Sequence, residues 1–215
     1  MFCTRIVCYS VWEQVRLWRI KSDKVRGVID PTPVHVFHGH DDDVTCVALS
    51  SNLDIVVSGS KDGTCIVHTA IEGRYQLTII PNSSTKAHIR WVGLSALGYI
   101  IVYAARRLYL YAMNGRCLVW EEVGELYAFY VSKDGRHIVT GGDQPIVIRS
   151  VLDLLKEISR FKGLEGQGGV VRSITGTAQE RHLLVGLQTG HILIYALNTK
   201  WLRTRFVERL NRLGF

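Results

Sequence analysis

Three histidines lie close together near the start of the chain, at His35, His38 and His40. Imidazole is a common zinc ligand, and a structural zinc site needs about four donors in a tetrahedral arrangement. His35 and His38 lie beside a predicted strand, and no cysteine or carboxylate completes a convincing ligand set around them. We therefore predict a structural role for these histidines and no metal site.

Motifs that would support catalysis or cofactor binding are not found in the sequence. There is no Gly-x-Ser-x-Gly elbow, no Gly-x-x-x-x-Gly-Lys phosphate loop and no His-Glu-x-x-His metalloprotease motif. The glycines of residues 166–169 lack the spacing of a dinucleotide-binding loop and precede a predicted strand. The prediction is a protein with no catalytic residues, no cofactor and no enzymatic activity.

A more specific pattern links His40 to a turn further along the chain. The pair Gly39-His40 precedes Ser-Gly-Ser-Lys-Asp-Gly-Thr at residues 58–64. A histidine in the loop that enters a sheet can hydrogen-bond Asp62 in a tight turn, where Asp-Gly supplies the positive φ. This is the pattern of a WD repeat, with His68-Thr69 at the Trp-Asp position. We predict a structural hydrogen-bond network made of His40, Ser58, Asp62 and His68.

The elements that carry these residues are predicted to be β-strands. Short runs of apolar and β-branched residues alternate with Gly, Asp, Asn and Pro, and no interior window has a sustained helical period. The runs form four units of three strands, whose second strands start near residues 55, 99, 137 and 182. This spacing of about 40 to 45 residues is typical of a four-stranded propeller blade. Fourth strands are expected between the units, for example at residues 116–120 and 157–161.

The predicted fold is therefore an all-β propeller of WD-repeat type, organised in three parts. Residues 1–33 form the end of a preceding blade and a linker, residues 34–199 form four WD-type blades, and residues 200–215 form a basic tail. Propellers usually close with about 4 to 8 blades, so we expect this propeller to be incomplete and part of a larger one. Open blade edges would favour self-association. The tryptophans Trp12, Trp18, Trp91 and Trp120 are predicted to lie in the core between sheets.

The composition indicates a globular chain without a membrane span. The chain is 47% hydrophobic, but no apolar run approaches the roughly 20 residues of a membrane helix. The amino terminus does not resemble a signal peptide. The five cysteines are widely spaced, without a Cys-x-x-Cys pair, which favours reduced thiols. We expect a cytoplasmic location, peripheral to endomembranes at most.

The net charge of +7 is concentrated in the last sixteen residues, which hold five Lys or Arg and one Glu and so supply +4. The rest of the chain is nearly balanced, and no nucleic-acid partner is expected. Apolar residues of the tail recur at helical spacing among its arginines, which is typical of a helix that lies on an anionic membrane surface. The same pattern fits a tail that packs on the propeller. The residues that would contact a membrane or partner are Arg203, Arg205, Phe206, Arg209, Leu210 and Arg212.

The residues around the first WD unit resemble one family. The stretches 36–50, 53–64 and 66–69 are similar to neurobeachin and its relatives among the BEACH-domain proteins, where His-Thr likewise replaces Trp-Asp. Weaker matches extend the resemblance over residues 17–197. The resemblance implies a propeller that follows BEACH and PH-like domains in a very large scaffold of vesicle traffic and receptor sorting. Its partners would be other proteins, bound through the rims of the propeller.

Two other functions fit the same residues. The chain could serve as a free-standing WD-repeat adaptor, such as the substrate receptor of a ubiquitin ligase. It could also bind membranes or nucleic acids peripherally through the basic tail. BEACH-type sequence upstream in the same transcript would distinguish the scaffold from the adaptor.

Overall fold

The computed structural model describes residues 5–22, 27–29, 32–81, 87–143, 145–161 and 169–196. The regular elements of these residues are nineteen β-strands. Within the same ranges, no helix is long and apolar enough to cross a bilayer. The chain divides into two compact units, Met1–Trp120 and Glu121–Phe215.

The first unit contains three antiparallel sheets. Sheet 1 consists of β1 (Arg5–Val11), β2 (Gln14–Ser22), β3 (Gly27–Ile29) and β4 (His35–Phe37). Strands β3 and β4 both pair with β2, the first near its end and the second near its start. Sheet 2 is a meander of β5 (Val44–Ser50), β6 (Ile55–Ser60), β7 (Cys65–Thr69) and β8 (Tyr75–Ile79). Sheet 3 is a meander of β9 (Ile89–Leu94), β10 (Tyr99–Ala104), β11 (Arg107–Ala112) and β12 (Cys117–Glu122), whose last two residues belong to the second unit.

The second unit contains two further antiparallel meanders. Sheet 4 consists of β13 (Leu126–Val131), β14 (His137–Gly142), β15 (Ile146–Ser150) and β16 (Glu157–Phe161). Sheet 5 consists of β17 (Val171–Gly176), β18 (His182–Leu187) and β19 (Ile192–Ala196). In sheets 2, 3 and 4 the second strand is buried along nearly its whole length, and every residue of β6 is buried.

The predicted strand pattern is confirmed. The second strands of sheets 2 to 5 begin at residues 55, 99, 137 and 182, and the expected fourth strands are β12 and β16. Strand β1 was not predicted. Its turn to β2 consists of Trp12 and Glu13, with Trp12 at a φ of 55°, and neither residue is a usual turn former.

Apolar side chains of neighbouring sheets form the core. In the first unit, Val57 and Val67 of sheet 2 pack with Ile100 and Val102 of sheet 3 in one buried cluster. In the second unit, buried residues of sheets 4 and 5 form an equivalent cluster. Within each unit, these neighbouring sheets therefore stabilise one another through their apolar faces.

The prediction that the tryptophans lie in the core is wrong for three of them. Trp12 is 80% exposed in the β1–β2 turn, Trp120 is 52% exposed on β12, and Trp91 is also exposed on β9. Trp18 on β2 is partly buried. Trp12 is exposed because it lies in a turn, whereas Trp91 and Trp120 lie on the two end strands of sheet 3, where one of the two alternating faces can be open to solvent.

Candidate functional site

The predicted network lies where two loops of sheet 2 meet. Residues 38–43 lead into β5, and residues 61–64 connect β6 to β7. Gly63 has a φ of 86°, as the Asp-Gly turn requires. The backbone N–H of Lys61 donates to the carbonyl of Asp43 at 3.0 Å, which holds the two loops side by side.

The structure brings His40, Asp62 and Ser58 into one chain of hydrogen bonds. The His40 Nδ1 atom lies 3.1 Å from Asp62 Oδ2, and Nε2 lies 2.8 Å from Ser58 Oγ. Asp62 also accepts the backbone N–H groups of Asp41 at 3.0 Å and Thr64 at 2.7 Å, and the Thr64 hydroxyl at 2.7 Å. One carboxylate thereby ties the loop before β5 to the turn after β6.

The network fixes the protonation of its members. The Thr64 hydroxyl donates its hydrogen to Asp62, so the Thr64 oxygen can only accept a hydrogen bond from His40 Nδ1. Nδ1 therefore carries the imidazole proton, and Nε2 accepts a hydrogen bond from the Ser58 hydroxyl. Burial lowers the pKa of His40, although Asp62 opposes that shift. Burial disfavours the Asp62 carboxylate, but hydrogen bonds from Thr64 and Asp41 outweigh it and lower its pKa. At neutral pH the pair is a neutral imidazole and a carboxylate.

Serine, histidine and aspartate in one chain of hydrogen bonds are also the parts of a nucleophilic triad. The surroundings of Ser58 do not suit that chemistry. Ser58 is 2% exposed and lies in the fully buried strand β6, so a substrate carbonyl has no approach to its hydroxyl. The arrangement suits a structural clamp between two loops.

The structure does not bring His68 into this chain of bonds. Its ring packs 4.8 Å from the ring of Phe37 and 6.1 Å from that of Tyr75. Among the described residues, its buried Nδ1 has no hydrogen-bond partner. Burial and the nearby His40 lower the pKa of His68 to about 4. His68 therefore fills the Trp position as a neutral, mainly packing side chain.

Sheet 4 contains a second buried network that the sequence reasoning missed. The strand registers make Arg149 the counterpart of His68, and Thr140 that of Ser58. Arg149 is 4% exposed; its Nη1 donates to Thr140 Oγ1 at 2.7 Å, and its Nε donates to Glu121 Oε2 at 2.9 Å. Alignment of Ser58-Gly59 with Thr140-Gly141 in the sequence could have indicated that Thr140 takes part in an equivalent network.

The same position is filled differently in the other two meanders. In sheets 3 and 5 the register places Tyr111 and Tyr195 there, and both residues are buried. The four sheets therefore place three types of buried side chain at this position: His in sheet 2, Arg in sheet 4, and Tyr in sheets 3 and 5. A search for a repeated Trp-Asp pair finds none of them.

The remaining predicted residues do not gather into a site. The Nε2–H of His35 donates to the carbonyl of Ile71 at 2.8 Å, and His38 is exposed. No group of three or more His, Cys, Asp or Glu that could hold a metal occurs in the part of the chain that the structure describes. The tail positions Arg203, Arg205, Phe206, Arg209, Leu210 and Arg212 lie outside the described residues.

Several known proteins with similar sequences are BEACH-domain proteins or neurobeachin homologs. A 200-residue stretch, 87% of the chain, is 36% identical to BEACH domain-containing protein B of Arabidopsis thaliana, and 206 residues are 27% identical to BEACH domain-containing protein lvsE of Dictyostelium discoideum. A putative neurobeachin homolog of Caenorhabditis briggsae is 24% identical over 168 residues. The chain spans only 7%, 9% and 6% of the lengths of these relatives.

A solved structure gives the same fold. The crystal structure of the β-propeller domain of Cps50 (Swd1) from Myceliophteria thermophila superimposes with a TM-score of 0.72 over 96% of this chain and 69% of its own, at 14% identity. That likeness shows a propeller fold. The sequence profile of the neurobeachin β-propeller domain matches residues 5–205. Together with the sequence relatives, this match shows that the chain belongs to the neurobeachin family of BEACH-protein β-propellers.

Proposed function

We propose that this chain is the propeller of a BEACH-type scaffold protein, and that it binds other proteins during vesicle traffic and the sorting of membrane proteins, without catalysing a reaction. The observation that carries the proposal is the match of residues 5–205 to the neurobeachin propeller. The curated relatives that share this region are BEACH-domain proteins many times longer than the chain. In such a protein the propeller is one part of a large assembly.

The fold supports an interaction role because it presents ordered loops on stiff sheets. The loop at residues 38–43 is held by the His40–Asp62 hydrogen bond and by an ion pair between Lys61 Nζ and Asp43 Oδ2 at 2.8 Å. Asp41 and Asp42 remain exposed in that loop. A loop that is already ordered loses little conformational entropy when a partner binds.

The test is deletion of the propeller from the native gene. The coding region for residues 34–199 would be removed in frame, and membrane proteins at the cell surface would be quantified by biotinylation and mass spectrometry. We expect particular receptors to change in surface abundance while their total amounts stay constant. Unchanged surface abundance, together with altered levels of ubiquitin conjugates, would support the adaptor function instead.

A further inference from the structure

A groove opens between sheets 2 and 3 of the first unit, away from the His40 network. It has a volume of about 420 Å³ and is lined by residues 78–81 beside β8 and by side chains of β11 and β12. Tyr109, Tyr111 and Ile79 are buried and form its floor, whereas Ile80 and Trp120 are exposed along it. A volume of this size is typical of ligand-binding clefts.

One cation stands in this groove. The Arg107 guanidinium lies 4.6 Å from the centroid of the Trp120 ring, which is within the range of a favourable cation–π contact. Among the described residues, the Arg107 guanidinium has no hydrogen-bond or ion-pair partner, and no carboxylate is found among the residues that line the groove. The indole covers the guanidinium, and the planar donor edge remains suited to a carboxylate.

The groove is long enough for a short peptide, and an edge strand lies beside it. Arg107 and Tyr111 are four residues apart on β11, so they mark about 13 Å along the strand. Strand β8 is the outermost strand of sheet 2 in the described region, and its last residues line the groove. The free main-chain groups of an edge strand can pair with an extended segment.

We propose that this groove binds an extended peptide segment of a partner protein, with an Asp or Glu side chain on Arg107 and a large apolar side chain against Trp120 and Ile80. The inference rests on the proposed function in treating the propeller as a protein-binding module. It adds the surface that binds and the chemistry of the segment bound.

The test begins with a phage-displayed library of random nine-residue peptides, selected against the full 215-residue chain. We expect the selected peptides to carry Asp or Glu beside a large apolar residue. The best peptide, labelled with fluorescein, is then titrated by fluorescence polarisation against the wild-type chain, Arg107→Gln and Arg74→Gln. Arg74 is an exposed arginine that pairs with Glu72, so its variant loses the same charge outside the groove.

Loss of a charge-assisted hydrogen bond should weaken binding at least about tenfold in Arg107→Gln, with Arg74→Gln unchanged. Arg107→Glu should bind the matching peptide with Lys in place of its acidic residue. Circular dichroism melting of each variant separates lost binding from lost folding. Selected peptides that bind all folded variants equally would contradict peptide binding in the groove, but they would still be consistent with an interaction function of the propeller. Selection of no peptide by the folded chain would also overturn it, and the gene deletion would still test the proposed function independently.

A second readout locates the bound peptide without a mutation. Cys117 is exposed and lines the groove, whereas burial raises the pKa of the Cys46 thiol to about 11. Alkylation by iodoacetamide, followed by mass spectrometry, should modify Cys117 quickly and Cys46 slowly. The selected peptide should slow the modification of Cys117, and an unchanged rate at saturating peptide would contradict the proposed location.

Discussion

At the loop that enters β5, four polar side chains that are buried or partly buried satisfy one another's hydrogen bonds. His40, Ser58, Asp62 and Thr64 share hydrogen bonds of 2.7 to 3.1 Å. A buried polar group that loses its partner costs about 1 to 3 kcal/mol. We therefore interpret these residues as a clamp that holds the two loops of sheet 2 in a single arrangement.

Asp62→Ala and His40→Ala should each lower the free energy of unfolding by about 1 to 3 kcal/mol, because each leaves buried donors or acceptors unpaired. The measurement is urea denaturation followed by circular dichroism. Asp41→Ala is the control, since its side chain is exposed and only its backbone N–H bonds Asp62. Unchanged unfolding of both clamp variants would contradict the structural role.

His68 should make the fold sensitive to mild acid. Its pKa is about 4 in the folded chain, below its usual 6.5, so protons bind the unfolded chain first as the pH falls from 6.5 toward 4. Stability should therefore be lost across that window, by at most about 1.4 kcal/mol per pH unit. Asp62, whose pKa is lowered from 3.8, acts only at lower pH.

His68→Phe keeps a ring beside Phe37 and removes the titrating group. Thermal melting at pH 7 and pH 5 should show a smaller loss of stability at pH 5 in this variant than in the wild-type chain. Equal losses in both proteins would mean that the burial of His68 does not control the acid response.

Of the residue-level features, the sequence predicted the pairing of His40 with Asp62 and Ser58 but not the environment of His68. A short sequence motif predicts the pairing of His40 with Asp62 and Ser58, because the loop and the turn that carry these residues are adjacent in a meander. Arg149 carries no motif, and its burial depends on Thr140 from one neighbouring strand and Glu121 from outside the meander. Contacts between residues this far apart in the sequence can be recognised only when the pairing of the strands is known.

Arg149 and Thr140 should behave as a coupled pair. Thr140→Val should destabilise the chain by about 1 to 3 kcal/mol, because it leaves a buried guanidinium N–H without an acceptor. In the Arg149→Met background, Thr140→Val should lower the free energy of unfolding much less. A double-mutant cycle in urea measures this coupling, and additive effects would contradict the bond.

At the scale of the strands, small residues allow the sheets to approach. A Cβ atom placed on Gly59 of β6 would lie 2.5 Å from Ile89 Cγ2 of sheet 3 and 2.9 Å from the Cys46 sulfur. A Cβ on Gly141 of β14 would likewise lie 2.7 Å from Val171 Cγ1 of sheet 5. The Gly that follows Ser58 or Thr140 is therefore a packing requirement between sheets.

Gly59→Ala should therefore cost about 1 to 3 kcal/mol, the range for an overpacked core. Adding Ile89→Ala removes the nearest methyl group, so the alanine at position 59 should cost less in that background. Thermal unfolding of the four proteins gives the coupling. An equal cost in both backgrounds would show that sheets 2 and 3 do not meet at this contact.

The strand periodicity was predictable because every blade repeats the same local pattern of apolar runs and turns. The positions of Trp12 and Trp120 were not, since a large ring is found either in a core or on an outer strand, and only the register separates the two. Strand β1 was missed for a related reason: the turn at Trp12 and Glu13 is held by pairing with β2 and not by turn-forming residues.

For the whole molecule, we propose that the basic residues 200–215 bind anionic membranes. Vesicles of phosphatidylcholine with about 20% phosphatidylserine should co-sediment with the full chain at low salt, and less at high salt, because screening weakens surface attraction. A chain that ends at residue 199 is the matched control. Equal sedimentation of the two chains would exclude the tail as the membrane contact.

We propose that this propeller works as part of a BEACH-type scaffold. The most direct measurement is an immunoblot of the native source with an antibody raised against residues 40–70, which include the exposed Asp41, Asp42 and Lys61. We expect a band many times larger than 24.3 kDa, because the chain spans only 7% and 9% of the lengths of two of its relatives. A single band near 24 kDa would contradict it and would identify a free-standing propeller protein.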